Sequence, residues 1–478
     1  MEHLFEKLIR NGESDIYPCH MPGHKRNVWG ELPSQLCRMD ITEIEGFDNL
    51  HQPEGILLEL QKKAAELCGA EESFYLVNGS TGGILTAVSA ALPMGGHILM
   101  ARNCHKSAYH AAYLRNLKIS YLYPDIFEEY NILEAVTPEQ VRTALKKASD
   151  IGAVLVVSPT YEGRIADIAG ISEVVHGQGI PLIVDEAHGA HLGLNREVHE
   201  NSCRQGADLV VQSVHKTLPA LTQTALLHVN GKLADRELVK RFLHIYQSSS
   251  PSYLLMASID NALHYIEKEG GRAFEEFRKL YDRMLEKLSQ CRVLKFLPAD
   301  RERQDLGKLL ISVKDSEMTG RQLYDTLLNR YRLQTEMAAE DFVLAMFTIN
   351  DRPEGYERMT AALLEIDGSL RECKGPEGRK KLGNVLQGRL WPENPDVGGC
   401  TLTAAWDANK EEVSLEEGEG RFAGEFVNLY PPGVPLLVPG EIITKELCQK
   451  IRNWLRQGLS VQGVRLQEGK YLIQVLKA

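Results

Sequence analysis

A chain of 478 residues exceeds what one simple hydrophobic core organises, so two or three domains are expected. With 43% hydrophobic and 25% charged residues the composition is that of a soluble globular protein, and a net charge of −11 argues against the clustered basic footprint of a nucleic-acid binder. Nine cysteines without a CxxC pair, no apolar run of membrane-spanning length and no signal-peptide pattern lead us to expect reduced thiols, a cytoplasmic location and no membrane partner.

From residue 54 to about 230, helix-spaced and strand-like segments alternate. Glu54 to Cys68 is amphipathic and stops at Gly69, a residue suited to a helix C-terminus. Phe74 to Val77 is a short apolar strand, and Gly82 to Leu92 a small-residue helix ended by Pro93. His97 to Ala101 and Ile119 to Tyr123 read as strands with a helix between them. Thr137-Pro138-Glu139-Gln140 starts a further helix, with Thr as N-cap, Pro in the first turn and Gln three residues after the cap. Ala153 to Val157, Pro181 to Val184, Ala207 to Val211 and Ala225 to Val229 are apolar strands. Near-continuous Val/Ile/Leu strands separated by helices predict an α/β fold whose mostly parallel sheet is covered on both faces. Ala234 to Gln290 is mostly helical. Leu309 to Val313 and Val343 to Ile349 read as strands flanking a helix from Gln322 to Tyr331, opened by a Thr319-x-x-Gln322 box, which makes an α+β subdomain. Gly375-Pro376-Glu377-Gly378-Arg379-Lys380-Lys381 is a breaker-rich linker. The C-terminal piece ends in a helix from Thr444 to Gln457 and a strand from Tyr471 to Val475.

The chemistry-bearing residues sit at the ends of these strands. Ser213-Val214-His215-Lys216-Thr217-Leu218-Pro219 places a lysine just after an apolar strand, among hydroxyls and an imidazole. Alone, such a lysine is most simply a solvated loop residue. In this setting it suits a buried amine of lowered pKa, able to form a Schiff base. Asp185 closes the strand Pro181 to Val184, at the carboxyl end of a parallel sheet where α/β ligands bind. A carboxylate there keeps a pyridine nitrogen protonated, although a strand-end acid also caps turns. Asn78-Gly79-Ser80-Thr81-Gly82-Gly83 opens a helix, and its amides with the Ser80 and Thr81 hydroxyls suit a dianionic phosphate. Ser213 and His215 are placed to reach the same phosphate. His105 also follows a strand and is suited to stack on an aromatic ring, although a lone histidine is more often a cap or core residue. His188 and His191 fit a supporting or a merely structural role, and no third ligand accompanies them to make a metal site. Together these segments suggest a pyridoxal 5'-phosphate enzyme.

The same segments, in this order, resemble the ornithine/lysine/arginine decarboxylases of fold type I, in their short bacterial form. The resemblance covers most of the chain. It runs from His20-Met21-Pro22-Gly23-His24-Lys25, Asp40-Ile41-Thr42-Glu43 and Gly46-Phe47-Asp48-Asn49-Leu50-His51 through the phosphate cradle and Arg102 to Ser107. It continues through Ser158-Pro159-Thr160-Tyr161-Glu162-Gly163, Asp185 to His188, Ser213 to Gln223, Ser249 to Tyr253 and Tyr430 to Pro435. It implies a seven-stranded, mostly parallel sheet in the large domain, with smaller α+β C-terminal domains. The boundaries expected are an N-terminal segment at 1–50, a large cofactor-binding domain at 51–290, a small α+β domain at 291–375 and a family-specific domain at 376–478. The resemblance gives Lys216 the internal aldimine, Asp185 the ring nitrogen and His105 the ring face. It gives Ser80, Thr81, Gly82, Ser213 and His215 the phosphate, with His188 beside the cofactor. It implies a homodimer or a higher homo-oligomer with Ser250 and Pro251 near the interface. The chain starts almost directly at the His20 motif, without the N-terminal wing of the long members, and Pro219 stands where a small residue is expected near the lysine.

The reaction so implied is α-decarboxylation of a basic amino acid through a quinonoid state, with Lys216 or His215 returning a proton to Cα. Arginine, giving agmatine for polyamine biosynthesis, is favoured over lysine and ornithine, and Glu441 is a candidate partner for the substrate's distal cation, although an acid in a Pro439-Gly440 turn fits a plain surface role nearly as well. The alternatives are another fold type I reaction, such as aminotransfer or a different lyase chemistry, and a non-catalytic relative that has kept the fold.

Overall fold

The computed structural model describes residues 3–14, 21–22, 25, 34–298, 303–371, 373, 391, 401–430 and 433–477. His20, Gly23 and His24 of the first motif, the Gly375 to Lys381 linker, and Pro431 and Pro432 lie outside the described residues.

Strands β1 (Glu72–Leu76), β2 (His97–Ala101), β3 (Lys118–Leu122), β6 (Ala153–Val157), β7 (Leu182–Asp185), β8 (Leu209–Gln212) and β9 (Ala225–Val229) form one seven-stranded sheet. Its order is β1-β9-β8-β7-β6-β2-β3, and a small hairpin of β4 (Ile126–Phe127) and β5 (Ile132–Leu133) stands apart. The pairs β2/β3, β6/β7 and β7/β8 are parallel, while β9 runs antiparallel to β8 and β1. Every residue of β7, β8 and β9 is buried, as expected of strands covered on both faces. The chain folds as two compact units.

Unit one comprises Met1–Pro93, Gly152–Ser158 and Asp167–Glu276. It contains α1 (Leu4–Glu13), α2 (Ser34–Met39), α3 (Ile56–Cys68) and α4 (Gly79–Ala91). Helix α3 buries Leu57, Leu60, Ala64 and Cys68 at helical spacing and ends on Gly69 at φ 69°. Its start is held from outside the helix. The Asp48 carboxylate accepts from the Glu54, Gly55 and Leu57 amides at 3.0, 2.9 and 3.0 Å, which accounts for an acid in the Gly46 to His51 motif. Helix α4 begins at Gly79, three residues earlier than the small-residue run suggests. It lies so close to the sheet that a methyl on Gly83 would stand 2.7 Å from both Leu76 Cδ1 and Val211 Cγ1.

Unit two comprises Met94–Ile151, Pro159–Ala166 and Phe277–Ala478. Here α5 (Lys106–Leu114) follows β2, and α6 (Pro138–Leu145) starts with the expected Thr137/Gln140 capping box. In unit one α7 (Ile168–His176), the single turn α8 (Val214–Thr217) and α9 (Arg236–Tyr246) follow, and α10 (Tyr253–Leu288) runs from unit one into unit two. The α+β part of unit two has strands β10 (Lys295–Phe296), β11 (Lys308–Ser312), β12 (Met337–Ala338) and β13 (Phe342–Met346), all antiparallel in the order β10-β11-β13-β12. Helices α11 (Gly320–Tyr331) and α12 (Pro353–Ser369) accompany it. The last part holds α13 (Leu402–Asp407) and α14 (Lys445–Arg456) with two three-stranded sheets. The first sheet joins β14 (Lys410–Ser414), β18 (Val464–Gln467) and β19 (Lys470–Leu476), and the second β15 (Val427–Leu429), β16 (Pro435–Leu437) and β17 (Val461–Gln462). They close over a core that includes Val427, Leu437, Ile443, Ile451, Trp454 and Ile473.

Candidate active site

Lys216 sits in the one-turn helix α8, immediately after β8, so the strand delivers it to the sheet's end. The turn is pinned at both ends: Val214 N–H donates to Thr224 O at 3.1 Å, and Leu218 N–H to Val214 O at 3.0 Å. The half-buried lysine ammonium donates to His188 Nε2 across 3.1 Å. Asp185 is the last residue of β7 and is 5% exposed. Burial raises its pKa, opposed by the charge of Lys216 and by a hydrogen bond from the Ala187 amide. A second cation beside this carboxylate would draw it back down. Burial also lowers the pKa of His215, so its ring is neutral near pH 7, and Nδ1–H donates to Thr224 O at 2.9 Å.

The start of α4 has no side-chain cap, so the amides of its first turn are presented without one. Gly79 N–H is spent on Gln223 O at 3.0 Å, and the Gln223 side chain donates to Val77 O at 2.6 Å. Gln223, at φ 85°, therefore ties the lysine segment to the Ser80–Thr81 turn. Ser213 Oγ and Thr217 Oγ1 are buried without a hydrogen-bond partner among the described residues. Unpaired buried hydroxyls are costly, and these flank the lysine on both sides.

A polar chain runs beneath Asp185. Glu186, the next residue, accepts from Ser202 Oγ at 2.5 Å, Ser202 N–H at 2.9 Å and Gln212 Nε2 at 2.6 Å. Gln212 Oε1 accepts from His228 Nε2 at 3.0 Å, and His228 Nδ1 from Ser73 Oγ at 2.6 Å. Burial holds the His228 pKa down at about 3, so the ring is neutral and can donate from one nitrogen and accept at the other. Burial pushes Glu186 up to about 7. The chain crosses β7, β8, β9 and β1, and it fixes the strand ends that carry Asp185 and Ser213.

Unit two carries the other residues. His105 caps α5, its Nδ1 accepting from Ser107 N–H at 3.2 Å and lying 2.9 Å from Ser107 Oγ. Arg102, fully buried one residue after β2, donates to both oxygens of Glu441 at 3.1 and 2.9 Å. It also donates to the Pro435 carbonyl at 2.7 Å and to Tyr109 Oη at 2.9 Å. The Glu441 charge, read from sequence as a partner for the substrate's distal cation, is thus matched inside the protein by Arg102.

Lys216, Asp185, His188, Ser213, His215, Ser80, Thr81 and Gly82 all belong to unit one, whereas His105 and Glu441 belong to unit two. Sequence reading missed Gln223, whose role depends on its backbone conformation, and Arg102 as Glu441's partner, 339 residues away. It also missed Glu186, for which a signal exists: strand alternation turns the neighbour of a strand-end acid to the opposite face. Among the described residues no cluster of His, Cys, Asp or Glu could hold a metal ion, and no helix is long and apolar enough to cross a membrane.

The arginine decarboxylase of Bacillus subtilis is 33% identical over 99% of this chain and 97% of its own length. Among solved structures, the lysine decarboxylase of Francisella novicida superposes with a TM-score of 0.84 at 16% identity, covering 99% of this chain and 81% of that one. The serine palmitoyltransferase of Sphingomonas wittichii shares the fold more distantly, with a TM-score of 0.53 at 16% identity over 65% of this chain and 77% of its own. The family described as Orn/Lys/Arg decarboxylase matches by its major domain over residues 4–300 and by its C-terminal domain over residues 401–477, and the chain belongs to that family.

Proposed function

We propose that the protein is a cytoplasmic pyridoxal-phosphate-dependent decarboxylase of a basic amino acid, with arginine the favoured substrate, lysine next and ornithine third. The observation that carries the reading is the grouping, within one unit, of Lys216 against His188 with the buried Asp185 and the Ser213 hydroxyl, which has no hydrogen-bond partner among the described residues. The order of substrates rests on the likeness to an arginine decarboxylase over nearly the whole chain.

The residues fit the cofactor. Ser80, Thr81 and Gly82, at a helix start without a side-chain cap, would hold its phosphate together with Ser213, and with His215 whenever its Nε2 carries a proton. Asp185, raised by burial, would receive the ring nitrogen's positive charge. Bound there, pyridoxal phosphate supplies an aldehyde to capture amines and a ring that accepts the electron pair left when carbon dioxide departs. The protein's own groups do the rest. His188 accepts a hydrogen bond from the Lys216 ammonium and so can take its proton, leaving the amine nucleophilic. His215, neutral and held through Nδ1, keeps a lone pair at Nε2 for proton exchange, and Lys216 is the alternative donor to Cα. His105 would cover one face of the ring. We place the exposed Ser250 and its buried neighbour Pro251 near the interface of a homodimer or larger homo-oligomer.

Borohydride reduction of cofactor-loaded protein followed by peptide mass mapping tests the central residue. The mass increment should lie on the peptide containing Lys216 and vanish in Lys216→Ala. Labelling of a different lysine would overturn the assignment.

A further inference from the structure

Arg102 and Glu441 join two segments of unit two. Arg102 is three residues ahead of His105, and Glu441 lies eight beyond Gly433. The guanidinium is fully buried, donates twice to Glu441 and also reaches the carbonyls of Pro435, at 2.7 Å, and Leu436, at 3.3 Å. Tyr109, Tyr121 and Trp391 surround it, with ring centroids 5.7, 5.2 and 5.0 Å away. Glu441 is fixed in turn by the Val438 amide at 2.9 Å. Every strong bond of the guanidinium outside its own segment therefore falls on 435–441, the stretch that follows Gly433.

Gly433 is where that stretch meets His105. The Lys106 amide donates to Gly433 O at 3.3 Å. A methyl on Gly433 would stand 3.5 Å from Cδ2 and Nε2 of the imidazole, an ordinary van der Waals contact, so this face of Gly433 is turned toward that edge of the ring. The residue adopts φ 81°, which glycine takes without strain. Ser107 holds the opposite, Nδ1, side of the ring. The imidazole is thus fixed at Nδ1 by its own helix start, and that start is tied through Lys106 to Gly433.

We propose that Arg102 and Glu441 are positioning residues for His105: the buried pair fixes the 433–441 segment, whose Gly433 carbonyl accepts from the Lys106 amide and so sets the start of α5 that orients the imidazole. This rests on the function proposed above. It gives Glu441 a role through Arg102 and His105 instead of contact with substrate. A buried pair broken from one side leaves an unmatched charge, so Glu441→Gln should loosen the whole segment.

Two measurements separate the clamp from the cofactor reading. In cofactor-free protein, amide hydrogen exchange reads the clamp alone: Glu441→Gln should speed exchange at Lys106 and across 433–441 while protection of β7 and β8 stays unchanged. In cofactor titrations, His105→Ala and Glu441→Gln should each raise the pyridoxal phosphate dissociation constant about tenfold and alter its visible circular dichroism in the same sense. The double variant should be no worse than His105→Ala alone, because both act through one ring. Unchanged exchange at Lys106, or wild-type cofactor affinity in Glu441→Gln beside a weakened His105→Ala, would overturn the proposal. If His105→Ala itself binds the cofactor like wild type, the reading of His105 falls and not the clamp. Should Glu441→Gln fail to fold, Gly433→Ala strains the same turn through its φ of 81° without touching the buried pair, and it carries the same expectations and refutations.

Discussion

Replacing Gly83 by alanine adds one methyl at the closest approach of α4 to the sheet. That methyl would stand 2.7 Å from Leu76 Cδ1 and Val211 Cγ1 and 3.3 Å from Val211 Cγ2. Carbon atoms rest at about 3.5–4.0 Å, so roughly 1 Å of room is missing on two sides. Leu76 and Val211 are both fully buried, and Val211 is β-branched on a central strand, so neither side chain swings away freely. The helix must lift, at about 1–3 kcal/mol for overpacking. Alanine's better helix propensity returns about 1 kcal/mol. The net expectation is a loss of about 1 kcal/mol in unfolding free energy, measured by urea titration of cofactor-free protein. Because the lifted end carries Ser80 and Thr81, pyridoxal phosphate affinity should also fall, by about fivefold for each 1 kcal/mol lost at the phosphate. For the stability measurement Gly82→Ala is the control: its methyl meets Asn78 Cβ at 3.3 Å and Tyr246 O at 3.7 Å, a lighter contact at the same helix start. Adding Val211→Ala to Gly83→Ala clears the Val211 side of the clash and leaves that with Leu76, so the pair should show a coupling energy of about 1 kcal/mol. A Gly83→Ala protein stabilised by propensity alone, with wild-type cofactor affinity, would refute the close-packing argument.

Two further predictions concern the framework. Glu186 is raised to about 7 from an ordinary value of 4.5, so its contribution to stability is whole below pH 4.5 and is lost as pH rises through 7. That loss is at most about 3 kcal/mol, and Glu186→Gln should flatten the fall in unfolding free energy between pH 5 and pH 8; an identical pH slope in the variant would contradict it. Asp48→Ala removes the carboxylate acceptor from the start of α3 and should lower stability by about 2 kcal/mol in thermal or urea unfolding, with Asp48→Asn recovering part of the loss. An unaltered Asp48→Ala protein would show that water replaces the carboxylate at no cost.

Much of the large sheet was legible because its strands are continuous apolar runs that tertiary context only reinforces: β2, β6 and β9 occupy the expected residues to the position. The positions of Asp185 and Lys216 were legible for a related reason, since one ends a buried strand and the other follows one. Of the C-terminal sheets only β19 was legible, as the strand Tyr471 to Val475. Their strands are two to seven residues long, and exposed edges such as β14 break the alternation that marks a strand. Helix α12 was missed although it shows Pro in its first turn and buried Tyr356, Met359, Leu363 and Ile366 at helical spacing. The Arg102–Glu441 pair and the tie through Gln223 are products of folding, since one joins residues far apart in sequence and the other depends on a left-handed backbone.

The central claim is tested most directly by product analysis. Purified protein with pyridoxal phosphate, offered arginine, lysine and ornithine together, should release carbon dioxide and the matching amine in equal amounts, with agmatine dominant and no release from Lys216→Ala. Keto acid in place of amine, or no amine from any of the three with the cofactor bound, would contradict the account.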